Sequence, residues 1–370
     1  MKRLFGTPQN INAEILGKVT CNRKHIFSKN DYVYVTKEAT DIPQGYLAIL
    51  ASGLLPDTKQ PTVTNVQQLS ELSEGDVVLI NTDGSINVLY EINSSHNAIM
   101  ATERCNHRCI MCPQPPIVHE NDKTEFNLKL ISLFDKNTQN IGITGGEPTL
   151  IGDNLFVMIE HIKKILPKSS ISLLSNGVKF ADYQYAQKLA LINHCNLQID
   201  IPIFSDIDTE HNRIVGAKTF YKTIEGLYNL ALFRQRIGLR IVVHKQTYKR
   251  LPQLAEFIYR NFPFVYHVAF MQMETIGLAS QNIDELWIDP YDYNAELEEA
   301  VLNLARRNMN VYAQLCVLPN SLREYARQSI SDWKNIYLPE CANCELKNEC
   351  AGFFAVAENL HSSHIEPIIN

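Results

Sequence analysis

From Asn97 onward, short runs of apolar residues alternate with longer amphipathic stretches, and that alternation predicts repeated strand–helix units. The predicted strands run from Asn97 to Thr102, Asn140 to Ile143, Ile171 to Leu174, Leu197 to Ile203, Leu239 to Val243 and Val265 to Met271. Between them, apolar residues recur at intervals of three and four, most clearly at Leu155, Ile159, Ile162, Leu166 and at Phe220, Ile224, Leu227, Ala231. That spacing puts one apolar stripe on each helix. After the sixth unit, Tyr291 to Arg307 reads as a charged amphipathic helix and Val311 to Leu315 as a strand leading into Cys316. The first 95 residues have a different texture. Tyr32 to Thr36, Asp76 to Ile80 and Ile86 to Tyr90 are rich in β-branched and aromatic residues, and Asp83-Gly84 between the last two signals a hairpin. The expected division is 1–95 as a small β-rich domain, 96–308 as the strand–helix units and 309–370 as an extension. For the β-rich domain, a structural add-on and a module that docks a peptide by strand addition are both open, and no motif decides between them.

Composition narrows the class. With 370 residues, 45% of them hydrophobic, the chain can bury a sizeable core. Its 34 basic and 40 acidic residues give a net charge of −6, so no broad positive field exists for a phosphate backbone, and nucleic acid is excluded as an expected partner. Met-Lys-Arg at the start is followed by no apolar signal core, and no apolar run approaches the length of a bilayer span. The expectation is a cytoplasmic protein with no membrane partner.

The chemistry is carried by cysteine. Of nine cysteines, Cys105, Cys109 and Cys112 form one tight group and Cys341, Cys344 and Cys350 another, a distribution that suits metal ligation better than a disulfide framework. Cys21 and Cys195 lie apart and receive no role. The first group follows a predicted strand at CxxxCxxC spacing. Iron–sulfur cubanes are normally held by four thiolates, so three on one loop leave one iron open to a ligand that is not protein. Structural zinc, with His107 or His119 as a fourth ligand, is the alternative, although zinc sites favour paired CxxC units. A second predicted strand ends in Gly145-Gly146-Glu147-Pro148. Two glycines there let backbone approach a ligand, and Glu147 is suited to an ammonium group.

The two stretches together resemble the radical S-adenosylmethionine (SAM) superfamily, over about Ala98 to Gly352. The resemblance implies an α/β fold: a partial, open (β/α)6 radical SAM barrel with a β-rich N-terminal domain and a C-terminal extension similar to the SPASM and twitch modules. It implies that Cys105, Cys109 and Cys112 hold a [4Fe-4S] cluster whose open iron takes S-adenosyl-L-methionine. Gly145, Gly146 and Glu147 would then contact the amino group of SAM, Asn176 in the Ser175-Asn176-Gly177 turn would help hold it, and Asp200 would reach the ribose hydroxyls. His211 to Gly216 is similar to a stretch in peptide-modifying members. The chain departs from that pattern at Ser205-Asp206-Ile207-Asp208, which keeps a serine but lacks an Asp-Gly pair, and at Met111, where many members carry an aromatic residue. Cys341, Cys344 and Cys350, with Cys316 as a fourth thiolate, resemble the ligands of one auxiliary [4Fe-4S] cluster, a zinc knuckle being the alternative. At closer range, the cysteine loop with its Pro-Gln-Pro-Pro sequel and the run from Ser331 to Cys341 resemble the HxsC-type maturase family of His-Xaa-Ser peptide systems. That family implies reductive cleavage of SAM to a 5′-deoxyadenosyl radical and modification of a ribosomally synthesised peptide. Its implied partners are the peptide substrate, a second radical SAM maturase and an external electron donor. A radical SAM enzyme acting on a small metabolite and a zinc-stabilised peptide-binding scaffold remain the alternatives. No acid or base is identifiable, and the tail from His361 to Asn370 is expected to be loose.

Overall fold

The computed structural model describes residues 2–23, 29–36, 43–56, 58–314, 317–327, 335–348, 350 and 352–369. Two compact units divide it: residues 1–99 with 123–141 and 160–169, and residues 100–122 with 142–159 and 170–370.

Eight strands build the N-terminal sheet: β1 (Arg3–Phe5), β2 (Thr7–Gln9), β3 (Ile15–Thr20), β4 (Tyr32–Thr36), β5 (Ala48–Ala51), β6 (Thr62–Thr64), β7 (Val77–Ile80) and β8 (Ser85–Tyr90). Their order is β1-β8-β7-β3-β4-β5-β6-β2. Only Gly6 separates β1 from β2, yet they stand at opposite ends of that order, so the sheet closes on itself through one bent strand. Val19, Val33, Leu50, Val63, Val78, Ile80 and Ile86 pack together in its interior. Closure removes the long free edge that strand addition would need, which favours the structural reading of this domain. At the β7–β8 hairpin Gly84 takes the left-handed backbone (φ 83°), as expected. Asp83 does not; its carboxylate instead accepts from the Ser85 amide at 2.9 Å and the Ser85 hydroxyl at 2.6 Å. Within the same unit, Tyr90 stacks on Phe134 at 4.4 Å and bonds Thr138 at 3.0 Å, which ties the segment after helix α1 (Thr124–Ser132) to the strands.

The second sheet comprises β9 (His96–Thr102), β10 (Asn140–Gly145), β11 (Ser170–Leu174), β12 (Leu197–Pro202), β13 (Arg236–Val243), β14 (His267–Gln272) and β15 (Val311–Gln314), with sheet order following chain order. Strands β11 to β15 pair in parallel. The intervening helices are α2 (Asn154–Ile165), α3 (Tyr183–Ile192), α4 (Asp208–Val215), α5 (Phe220–Leu232) and α6 (Leu251–Asn261). This is the expected open α/β architecture, with one strand more than six. The seventh, β15, comes from the segment assigned to the extension, and joins because Val311 and Ala313 are apolar at the positions that register with Val268 and Phe270. Period-two alternation sorts the sheet into two faces. Ile171, Leu173, Ile199, Ile201, Ile237, Leu239, Ile241, Val268 and Phe270 make one face and are fully buried. Gln198, Asp200, Arg236, Arg240 and His267 occupy the other, so polar chemistry is confined to one side.

Between β14 and β15 the chain passes through the short helices α7 (Leu278–Gln281) and α8 (Ile283–Leu286) and then α9 (Asn294–Ala305), and beyond β15 it forms the two-stranded pair β16 (Asn335–Ile336) and β17 (Phe353–Phe354). Phe354 packs with Ala269 and Met271 on the polar side of the sheet, partly with Tyr312 and Val356. The tail is not loose. Asp289 accepts from the Ser362 hydroxyl at 2.5 Å and the Ser363 amide at 3.1 Å, and Tyr291 stacks on His364 at 4.0 Å. Among the described residues no helix is long and apolar enough to cross a membrane.

Candidate cofactor site

Strand β9 delivers the chain into the cysteine loop, and several elements clamp that loop through its backbone. The Arg108 and Ile110 amides donate to the carbonyls of Val215 and Ile214, each at 3.0 Å, at the end of α4. Asn282 donates to the Ile110 carbonyl at 2.9 Å, and the Leu278 amide donates to the Cys112 carbonyl at 2.8 Å. His107 is buried and its Nε2 lies 2.9 Å from the Thr219 hydroxyl. Gly216, with φ 66°, ends α4 where a side chain would meet the Arg108 carbonyl at 2.8 Å. The stretch His211 to Gly216 thus acquires a physical purpose. His211 is wedged between Phe204 and Phe220, and Asn212 caps α5 by accepting from the Thr219 and Phe220 amides at 2.8 and 3.0 Å. Ile214 and Val215 lend their carbonyls to the cysteine loop. The clamp by α4 and α7 was not readable from spacing, because its contacts are backbone groups with no sequence signature.

The three thiols face a common region. Burial, helped by the nearby Cys112 and Cys105, pushes the Cys109 thiol up to about 12. Burial likewise pushes Cys105 up to about 11, with Glu147 and Cys112 adding to the shift. Each thiol therefore resists carrying charge alone, and a cationic iron centre supplies what burial withholds. Cys112 donates to the Gln114 carbonyl at 2.9 Å. Among the described residues, no three His, Cys, Asp or Glu side chains stand ready for a single metal ion. Three half-buried soft donors on one clamped loop fit a cluster in which each iron takes one thiolate.

Strand β10 ends against the same loop. The Gly146 amide donates to Thr102 at 2.7 Å and the Glu147 amide to Arg104 at 2.8 Å, both to carbonyl oxygens. A Cβ on Gly145 would lie 2.1 Å from the Thr102 carbonyl oxygen, and one on Gly146 would lie 2.3 Å from that of Arg104. The glycine pair is required for backbone to approach backbone, where the sequence suggested backbone approaching a ligand.

The carboxylate of Glu147 also differs from expectation. It is 1% exposed, and its oxygens accept from the Thr149 amide at 3.0 Å, the Thr149 hydroxyl at 2.7 Å, the Ser175 hydroxyl at 2.8 Å and the Asn176 amide at 2.6 Å. Burial raises its pKa, and these donors offset part of the rise. All four contacts are internal, which leaves no exposed oxygen for an ammonium group. Asn176 is likewise engaged: its side chain donates to Asn106 at 2.6 Å and accepts from the Val178 amide at 3.0 Å.

Asp200 lies on the polar face of β12, where Gln198 donates to it at 2.9 Å and His267 stands 3.6 Å away. Burial raises its carboxyl, against the opposing charges of His267 and Arg240. Gly238, its partner on β13, leaves the space that both side chains use, since a Cβ there would be 2.1 Å from the Asp200 oxygen. Asp206 is bound by Arg250 through contacts of 3.0 and 2.6 Å, so the loss of the Asp-Gly pair is matched by a structural use of the aspartate. Met111 is 5% exposed and packs with Phe204, Ile214, Val215, Ala279 and Leu286.

In the extension, Cys341 is raised by burial and by the proximity of Cys350 and Cys344. The Ile368 amide lies 3.5 Å from the Cys344 sulfur and the Gly352 amide 3.4 Å from that of Cys350, so backbone donors already face two sulfurs. These three cysteines suit a common centre. Cys316 lies outside the described residues.

Residues 99–258 match the family model described as the Radical SAM superfamily. Over that segment the chain is similar to the superfamily. Similarity to whole proteins is partial. The GTP 3′,8-cyclase of Desulforamulus reducens is 27% identical over 194 residues, covering 51% of this chain and 58% of that protein. That of Peptoclostridium acidaminophilum is 31% identical over 108 residues, covering 28% and 33%. The chain thus spans between a third and nearly three-fifths of the length of these relatives. Among solved structures, SuiB of Streptococcus suis bound to S-adenosylmethionine superposes with a TM-score of 0.49 and 15% identity, over 65% of this chain and 55% of that one. A likeness that faint carries no argument about chemistry.

Proposed function

We propose that the chain is a radical SAM enzyme that modifies a ribosomally synthesised peptide of the His-Xaa-Ser type. The observation that carries the reading is the clamped CxxxCxxC loop abutting the Gly145-Gly146 end of β10 inside the segment similar to the radical SAM superfamily. Cys105, Cys109 and Cys112 would hold the [4Fe-4S] cluster, which when bound supplies the electron that cleaves SAM to a 5′-deoxyadenosyl radical. The backbone of Gly145 and Gly146 would face the amino acid end of SAM, and Asp200 its ribose. Asn176 shapes that wall, while α4, α5 and α7 hold the loop and limit water around the radical. Cys341, Cys344 and Cys350, with Cys316, would hold an auxiliary cluster, and an external donor would supply electrons. The C-terminal cysteine group and the sequence resemblance favour a peptide substrate, with a second maturase as a candidate partner.

A second reading, a small-molecule substrate, is favoured by the GTP 3′,8-cyclase names of the relatives. Anaerobic incubation with SAM and reductant, in parallel with a His-Xaa-Ser peptide and with GTP, separates the two by mass spectrometry. A peptide mass change supports the proposal. Consumption of GTP with an unaltered peptide replaces it by the second reading.

A further inference from the structure

Glu147 sits where two strand ends and the cysteine loop meet. Its four donors come from two places: Thr149, in its own turn, and Ser175-Asn176, at the end of β11. Asn176 carries the connection onward, because its amide nitrogen donates to Asn106 at 2.6 Å, one residue after Cys105. Its own carbonyl accepts from Thr223 of α5 at 3.2 Å, so the turn that transmits the contact is itself held from behind. Asn106 is exposed, whereas Glu147, Ser175 and Asn176 are buried. A buried, multiply bonded carboxylate thus anchors a chain of polar contacts that ends on a surface loop.

We propose that Glu147 is a positioning residue, which fixes the cysteine loop through the relay Glu147–Asn176–Asn106 and does not itself bind the ammonium of SAM. The proposal rests on the radical SAM reading only for its consequence, since the relay exists in the protein without cluster or SAM. Glu147→Gln tests it because the substituted amide must place an N–H₂ against Thr149 and Ser175 donors or against the Asn176 amide. One arm of the strap is lost either way.

The experiment is hydrogen exchange of the metal-free protein, read on peptides covering residues 103–112. Glu147→Gln should speed exchange in that loop at least tenfold, while peptides from β7 and β8 remain as protected as in the wild type. Asn106→Ala, at an exposed position where folding is not at risk, should also speed the loop. Combined with Glu147→Gln it should add little, because both break one relay. The proposal is overturned if loop exchange is unchanged in Glu147→Gln while its SAM affinity falls, the pattern of a direct ligand. It is equally overturned if Asn106→Ala leaves the loop unchanged or if the two effects simply add. Failure to assemble any cluster would sink the functional reading and leave this result standing.

Discussion

Gly146→Ala isolates the backbone contact on which the site is built. Gly146 does not have the left-handed backbone that disfavours side chains, so its substitution adds a methyl group and little else. That methyl would lie 2.3 Å from the Arg104 carbonyl oxygen, 2.6 Å from its carbon and 2.9 Å from the Glu103 oxygen. Ordinary contact begins near 3.4 Å, so β10 and the start of the cysteine loop must part by about 1 Å. The same displacement stretches the Glu147 amide contact to Arg104 from 2.8 Å and the Gly146 contact to Thr102 from 2.7 Å beyond bonding range. Leaving each buried pair unmade costs about 1–3 kcal/mol, and partial relaxation brings the expected total to roughly 3 kcal/mol. Gly152→Ala is the natural contrast, since open space surrounds its Cβ position and its cost, about 1–3 kcal/mol, comes from a backbone (φ 63°, ψ −134°) that only glycine adopts freely. Urea unfolding followed through Trp287 reads both. Iron uptake by the anaerobic protein should also fall in Gly146→Ala and hold in Gly152→Ala. A Gly146→Ala protein as stable as the wild type, with full iron uptake, would refute the close approach.

Acid should weaken the fold through its buried histidines. Burial holds His211 and His244 down at about 4 against 6.5 when unfolded, so they are neutral in the native protein, and the stability this gives is complete above pH 6.5 and lost as pH falls toward 4. The loss is about 1.4 kcal/mol per pH unit for each, and His211→Phe should flatten the slope measured by urea unfolding between pH 6.5 and 4.5. An identical slope would contradict the assignment. Asp289→Ala should release the tail and speed amide exchange at residues 362–364, whereas retained protection would mean that the Tyr291–His364 stack suffices. If Cys341 and Cys344 serve an auxiliary cluster, iron should drop from about eight to about four per chain in the Cys341→Ala, Cys344→Ala double variant. Zinc in place of the missing iron would reject that cluster.

Much of the sheet was legible because stretches such as Leu197 to Ile203 alternate, with Ile199, Ile201 and Ile203 buried on one face and Gln198 and Asp200 on the other. The N-terminal domain was half legible. Tyr32 to Thr36 and the Asp83-Gly84 hairpin announce themselves, but three-residue strands such as β2 and β6 are too short to carry a period. In the site, spacing revealed which residues gather but not how each is used. Gly145 and Gly146 meet backbone, Met111 turns inward, and Glu147 closes on Ser175 and Asn176. Each of these depends on which neighbour a fold brings within reach, and a residue 28 or 29 positions away leaves no local trace. The extra strand β15 was read as a strand but not as a member of the sheet, since register with β14 is a tertiary property.

The central claim is that the clamped cysteine loop supports reductive cleavage of SAM. Its most direct test is to count 5′-deoxyadenosine formed by anaerobically reconstituted protein with SAM and a reductant, beside Cys109→Ala prepared in the same way. The intact protein should form 5′-deoxyadenosine and the variant none above background. No product from the iron-loaded intact protein, or equal product from both, would contradict that claim.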